Sequence, residues 1–259
     1  MRRLHGRAAL LVLFALVFLL SAYKVGGMAL ESRRREEEFR QLQRLVAEAA
    51  PAPRPQEAPE GGWGQGPMLE KYAALYRENP DVFGWVQIEG TRLNYPVMHT
   101  PQEPEYYLRR SFYKNSSEGG VPFLAGDCTR EGKNYLIYGH NMNDGSMFAA
   151  LLSYARESFW REHPAVCFDT LYDTGRYAVV AAFYTQIPGQ DEQEGFRYYR
   201  YTDLTRPDAF EEYLRQVKQA ALYDTGVTPE YGDQLLTLST CSYHAADGRF
   251  VVVAVKKEA

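Results

Sequence analysis

The feature that most constrains this chain is a pair of β-rich runs near its C-terminal end. Leu235-Leu236-Thr237-Leu238-Ser239-Thr240-Cys241-Ser242-Tyr243 alternates leucine with small hydroxyl residues, which suits a buried strand. A turn follows, Ala245-Ala246-Asp247-Gly248, and then Arg249-Phe250-Val251-Val252-Val253-Ala254-Val255. Two strands joined by so compact a segment bring Cys241 and Arg249 to neighbouring positions at one end of a sheet. A thiol beside a guanidinium lacks only a base. The best candidate is His140, in Asn134-Tyr135-Leu136-Ile137-Tyr138-Gly139-His140-Asn141, where another short strand runs into a glycine and then the histidine.

The N-terminal region has a different character. Ala8 to Leu20 is an unbroken apolar run, extended by Ala22 and Tyr23 and preceded by Arg2, Arg3 and Arg7. This charge bias puts the N-terminus in the cytoplasm and the rest outside. A short apolar run followed by small residues also fits a cleaved signal peptide. Residues 1–30 are therefore expected to be a cytoplasmic tail and membrane anchor. From Leu30 to Ala50, Phe39, Leu42, Leu45, Val46 and Ala49 recur at helical spacing, which predicts a juxtamembrane spacer helix. Pro51 to Pro67 reads as a Pro/Gly-rich linker, so 31–67 forms a tether and the folded body spans 68–259.

Within the body, helices are expected over Met68–Asn79, Ser146–Arg161 and Pro207–Leu222. Strands are expected over Val82–Ile88, Leu93–Val97, Val121–Ala125, Asn134–Tyr138, Val166–Asp169 and Arg176–Ile187, besides the final two. About eight strands with few long helices fit a closed or nearly closed β-barrel with peripheral helices. The net charge of -4 argues against nucleic acid as a partner. Three cysteines leave at least one unpaired. Cys128 and Cys167 read as free thiols, and no metal-ligand spacing appears.

Tyr138-Gly139-His140-Asn141-Met142, Thr237-Leu238-Ser239-Thr240-Cys241 and the arginine heading a Val-rich last strand resemble the three signatures of a sortase. Asn79-Pro80-Asp81-Val82-Phe83-Gly84-Trp85-Val86-Gln87-Ile88, Leu93-Asn94-Tyr95-Pro96-Val97 and Tyr106-Tyr107-Leu108 resemble the class B branch of that Gram-positive family. The match runs in order from Leu69 to Lys256. It implies the sortase barrel, with a helix between the last long strand and the Cys241 strand, and a retained N-terminal anchor. It implies a membrane-bound, extracellular cysteine transpeptidase without cofactor or metal. Such an enzyme cleaves a C-terminal Asn-Pro-x-Thr-Gly/Asn-like motif of surface proteins after the Thr. It then joins that Thr to an amine of a peptidoglycan precursor or of another protein.

The chemistry asks for these residue types. An ordinary thiol is roughly 3% ionised at pH 7, so Cys241 needs help to become a nucleophile. His140 is placed to protonate the leaving amine and deprotonate the incoming one. Arg249 keeps its charge and suits the oxyanion, with backbone around Thr240 and Cys241 as a second donor. For substrate binding the resemblance implies Leu108, Tyr138 and Ser239, with Tyr184 and Ile187 near the end of the long strand. Ser239 shares a strand face with Cys241 by alternation.

Each residue also has a bland reading: Cys241 as an inert core residue, His140 as a turn histidine, Arg249 as a strand-end ion pair. His244 is the rival base, but the motif matches only His140. The family often carries an acid directly after the cysteine, and this chain has Ser242. The competing functions are a catalytically silent barrel used in adhesion or assembly, and another extracytoplasmic Cys/His peptidase.

Overall fold

The computed structural model describes residues 2–49, 67–129, 131–187, 195–242, 245 and 247–257. Its eight strands are β1 (Val82–Gln87), β2 (Asn94–Met98), β3 (Phe123–Leu124), β4 (Asn134–Tyr138), β5 (Ala165–Thr170), β6 (Arg176–Gln186), β7 (Leu235–Cys241) and β8 (Gly248–Lys257). They close into a barrel in the order β1-β2-β3-β4-β7-β8-β6-β5, with β5 returning to pair with β1.

Two of its pairings are parallel, β2 with β3 and β4 with β7. The second one matters most. Parallel strands end at the same rim, so the residues after Tyr138 emerge beside the end of β7. β8 runs antiparallel to β7, so its first residues lie at that rim too.

Register fixes what each face carries. Tyr135, Ile137, Leu236, Leu238, Val252 and Ala254 fall on one face of β4-β7-β8. The rings of Phe83, Tyr135 and Phe168 meet there at 5.6–6.1 Å between centroids. The opposite face carries Leu136, Thr237, Ser239, Val251 and Val253. Part of it is covered by α4 (Pro207–Ala220), which connects β6 to β7 and buries Phe210, Tyr213, Leu214 and Val217 on one side. Pro207 starts that helix because a proline loses nothing at a position whose N–H has no helical partner.

The short helices include α2 (Glu70–Glu78), as the spacing predicts. The single helix expected over Ser146–Arg161 is instead a 3-10 helix, Phe148–Ala155, followed by α3 (Glu157–Glu162). Phe148, Leu151 and Tyr154 are its buried residues, three apart, and a three-residue turn is what aligns them. Arg156, with extended backbone, separates the two pieces.

The chain divides into two compact units, one up to Gln41 and one from Leu42 onward. The first is most of α1 (Arg2–Ala47), one helix that runs through Gly26 and Gly27 without a break. The expected anchor and spacer helix are thus parts of a single element. Leu13, Phe14, Phe18 and Leu20 are exposed, and this is the one helix among the described residues long and apolar enough to cross a membrane. A single-pass anchor is compatible with that length and composition. The expected linker lies outside the described residues except at Pro67.

Candidate active site

Cys241 is the last residue of β7 and pairs directly with Arg249 of β8. Gly139 and His140 follow β4 at the same rim. Two hydrogen bonds tie that segment to the nucleophile strand: Gly139 N–H donates to Ser239 O (3.1 Å), and Thr240 Oγ1 donates to Gly139 O (2.7 Å).

His140 is held on both sides. Its own carbonyl accepts from Phe148 N at 2.8 Å, and its Nε2 lies 2.8 Å from Leu108 O. A carbonyl can only accept, so Nε2 carries a proton, and Nδ1 is the nitrogen left to exchange one. Gly139 is required beside it. A Cβ at that position would meet three ring carbons of the fully buried Phe148 at 2.6–2.8 Å.

Arg249 donates through Nη1 to Gly248 O (3.0 Å) and makes no ion pair among the described residues. Its remaining N–H groups have no partner among the described residues. With serine in place of an acid at 242, no carboxylate next to the cysteine competes for them.

His140, Cys241 and Arg249 border one cavity of about 650 Å³. Leu108, Tyr138, Ile187, Ser239 and Thr240 line it as well. Tyr184 does not. It pairs with Phe250, one residue out of step with Arg249, and its ring lies 4.8 Å from that of Phe250. His244 lies outside the described residues.

Residue matches between this chain and known proteins now bear on the site. A sortase-domain family model covers residues 86–257. The chain belongs to the sortase family. Sortase B of Listeria monocytogenes is 29% identical over 238 residues, which cover 91% of this chain and 89% of that protein. Sortase B of Staphylococcus aureus is 26% identical, covering 94% and 93%. The solved Staphylococcus aureus sortase B-substrate complex matches with a TM-score of 0.72 at 25% identity, over 88% of this chain and 99% of that one. The solved Listeria monocytogenes sortase B gives 0.61 at 32%, over 70% and 97%. This is a class B sortase, a cysteine transpeptidase of surface-protein sorting.

Sequence reasoning missed part of this sortase's cleft. Pro104, Glu105, Asp127 and Tyr199 line it too. The loops that bear them have no apolar period to read, and their meeting is long-range. Gly126 lets the Pro104 ring close in, since a Cβ there would lie 2.5 Å from Pro104 Cγ. The doublet Tyr198-Tyr199, which opens a 3-10 turn over Tyr198–Arg200, is the one local signal.

The other two thiols have different settings. Cys128 is buried, accepts from Leu136 N (3.4 Å) and donates to Asn134 O (3.5 Å). Burial pushes its pKa up to about 12, so it stays a thiol. Cys167 is half-buried and free, and burial raises its pKa. Among the described residues no group of three His, Cys, Asp or Glu side chains could hold a metal ion.

Proposed function

We propose that Cys241 is the nucleophile, His140 the proton carrier and Arg249 the oxyanion donor of a sorting-signal transpeptidation. One observation carries this: these three side chains, from three strand ends, border a single cleft. The Cys241 thiol passes its proton to His140 Nδ1, and the thiolate attacks the Thr carbonyl of an Asn-Pro-x-Thr-Gly/Asn-like motif. The oxyanion that forms takes hydrogen bonds from the Arg249 guanidinium, whose planar fork pairs with no carboxylate among the described residues. His140 gives its proton to the departing amine, the C–N bond breaks, and a thioester remains on Cys241. An incoming amine, of a peptidoglycan precursor or another protein, loses a proton to His140 and displaces the sulfur.

Leu108, Tyr138, Ile187, Ser239 and the Thr240 backbone are the proposed walls for the motif peptide. Tyr184 is the weakest of the sequence candidates because it lies off the cleft. The apolar part of α1 is proposed to cross the cytoplasmic membrane, with 31–67 as spacer and the body from 68 outside.

The test is mass spectrometry of the full chain in detergent, incubated with a motif-peptide library. An acyl mass on Cys241 is expected, and none in Cys241→Ala. No acyl adduct on the unsubstituted chain supports the silent-barrel reading, and transfer that persists in Cys241→Ala means that another group is the nucleophile. Cleavage of peptidoglycan stem peptides alone supports another Cys/His peptidase.

A further inference from the structure

Strand β7 meets two buried tyrosines. Tyr213 OH lies 2.7 Å from Thr237 Oγ1, and Tyr198 OH lies 2.7 Å from Ser239 Oγ. The first pair is closed. Thr237 donates to Asn134 Oδ1 (2.9 Å), so Tyr213 must donate to Thr237, and Asn134 Nδ2 goes on to Tyr201 O (2.7 Å). Every hydroxyl proton in that chain has an acceptor.

The second pair is not closed. Two hydroxyls bring two protons, and their mutual bond uses one. Neither makes another hydrogen bond among the described residues, and both side chains sit in residues only 1% exposed. A buried hydroxyl proton without an acceptor is costly. Of the two residues, only Ser239 borders the cleft. The arrangement is consistent if Tyr198 donates to Ser239, and Ser239 turns its own O–H to the cleft. Burial raises the Tyr198 pKa, which keeps the phenol a neutral donor.

We propose that Tyr198 is a positioning residue that fixes Ser239 Oγ as a donor to a backbone carbonyl of the acyl-donor peptide. This rests on the transpeptidase reading above. Residues two apart on one strand face are about 7 Å apart, which is also the spacing of alternate carbonyls in an extended peptide. For a peptide running in the direction of β7, the carbonyl engaged is the second one N-terminal to the scissile carbonyl over Cys241. The acceptor amine is not its ligand.

The test uses the full chain in detergent with a motif peptide, following both turnover and the Cys241 adduct. Tyr198→Phe keeps the ring and removes the donor. One neutral hydrogen bond corresponds to about a three- to tenfold rise in KM, with kcat within about twofold. Ser239→Ala is expected to match it, and the double variant to be no worse than Ser239→Ala. Tyr213→Phe, from the closed pair, is expected to lower the melting temperature and leave KM alone. A folded Tyr198→Phe with unchanged KM, or additive effects in the double variant, overturns the proposal. Should Tyr198→Phe fail to fold, a peptide with that carbonyl reduced to methylene decides. It should lose affinity on the unsubstituted chain and nothing further on Ser239→Ala; equal losses on both refute the assignment. Absence of any Cys241 adduct on the unsubstituted chain would instead sink the transpeptidase reading itself.

Discussion

The two halves of β7 use the same two neighbouring strands for opposite ends. From Leu235 to Leu238 each side chain is buried, and the one hydroxyl, Thr237, lies in a completed hydrogen-bond chain with Tyr213 and Asn134. From Ser239 to Cys241 the strand borders the cleft, and one proton of the Ser239–Tyr198 pair and the Arg249 N–H groups beyond the one on Gly248 O are left without protein partners among the described residues. The difference comes from what covers the strand. Where Tyr213 of α4 packs on it, no water or ligand can serve a polar group, so the protein must satisfy its own. Where the cover stops, an unsatisfied donor is the means of binding. Stability and chemistry should therefore be separable by substitutions only a few residues apart.

The sharpest break is expected at Arg249. Arg249→Lys keeps the charge and loses the planar fork. Acyl-enzyme formation on a motif peptide is expected to fall about 10²- to 10³-fold, the usual cost of one oxyanion donor. Melting should move little, because no ion pair is lost among the described residues. A lysine variant with ordinary rates would remove the contrast between the halves.

Asn134→Leu is the converse. Asn134 is fully buried and bonds both Thr237 and Tyr201 O. Losing it strands groups at both ends and is expected to destabilise the fold by about 2–3 kcal/mol. For a body of this size that is about 5–10 °C in melting temperature. KM and kcat of the folded fraction should hold. Thermal melts and kinetics measured on one preparation test both at once.

Gly139→Ala probes the joint between the halves. The new Cβ would press on the Phe148 ring, and Phe148 N holds the His140 carbonyl. Overpacking of this kind is expected to cost about 1–2 kcal/mol. Because the displaced neighbour is also the support of His140, turnover should fall with stability, unlike in either variant above.

How far the sequence reveals this molecule depends on whether a feature is local. The alternation of Leu236, Leu238 with Thr237, Ser239 makes β7 readable, and the Tyr138–Asn141 and Cys241 motifs mark strand ends. The parallel β4–β7 pairing that joins those ends is not written in either segment. The 3-10 helix at Phe148–Ala155 looks like an α-helix, because a spacing of three between apolar residues occurs in both. Tyr184 shows the parity hazard of a strand: one step of register separates its partner Phe250 from Arg249. Tyr199 and Asp127 lie in segments with no period at all, and only the tertiary fold brings them to the cleft.

The smallest effect concerns pH, and it lies away from β7. Thr237, Asn134 and Tyr213 do not titrate in mild acid, so the closed half gives the fold no acid sensitivity. His99, which follows β2 and meets the Phe83 ring edge-on at 5.7 Å between centroids, does. Burial lowers its pKa from 6.5 to about 4. Between those values the unfolded chain binds the proton and the folded one does not, so stability rises with pH there. The contribution is complete above pH 6.5 and is lost as pH falls through about 4. His99→Phe keeps an apolar ring and cannot titrate. Denaturant midpoints measured from pH 7 to pH 4 are expected to fall less steeply for the variant than for the natural chain. Parallel slopes would mean that the acid sensitivity arises in the carboxylates instead, and that His99 is neutral in neither state's favour.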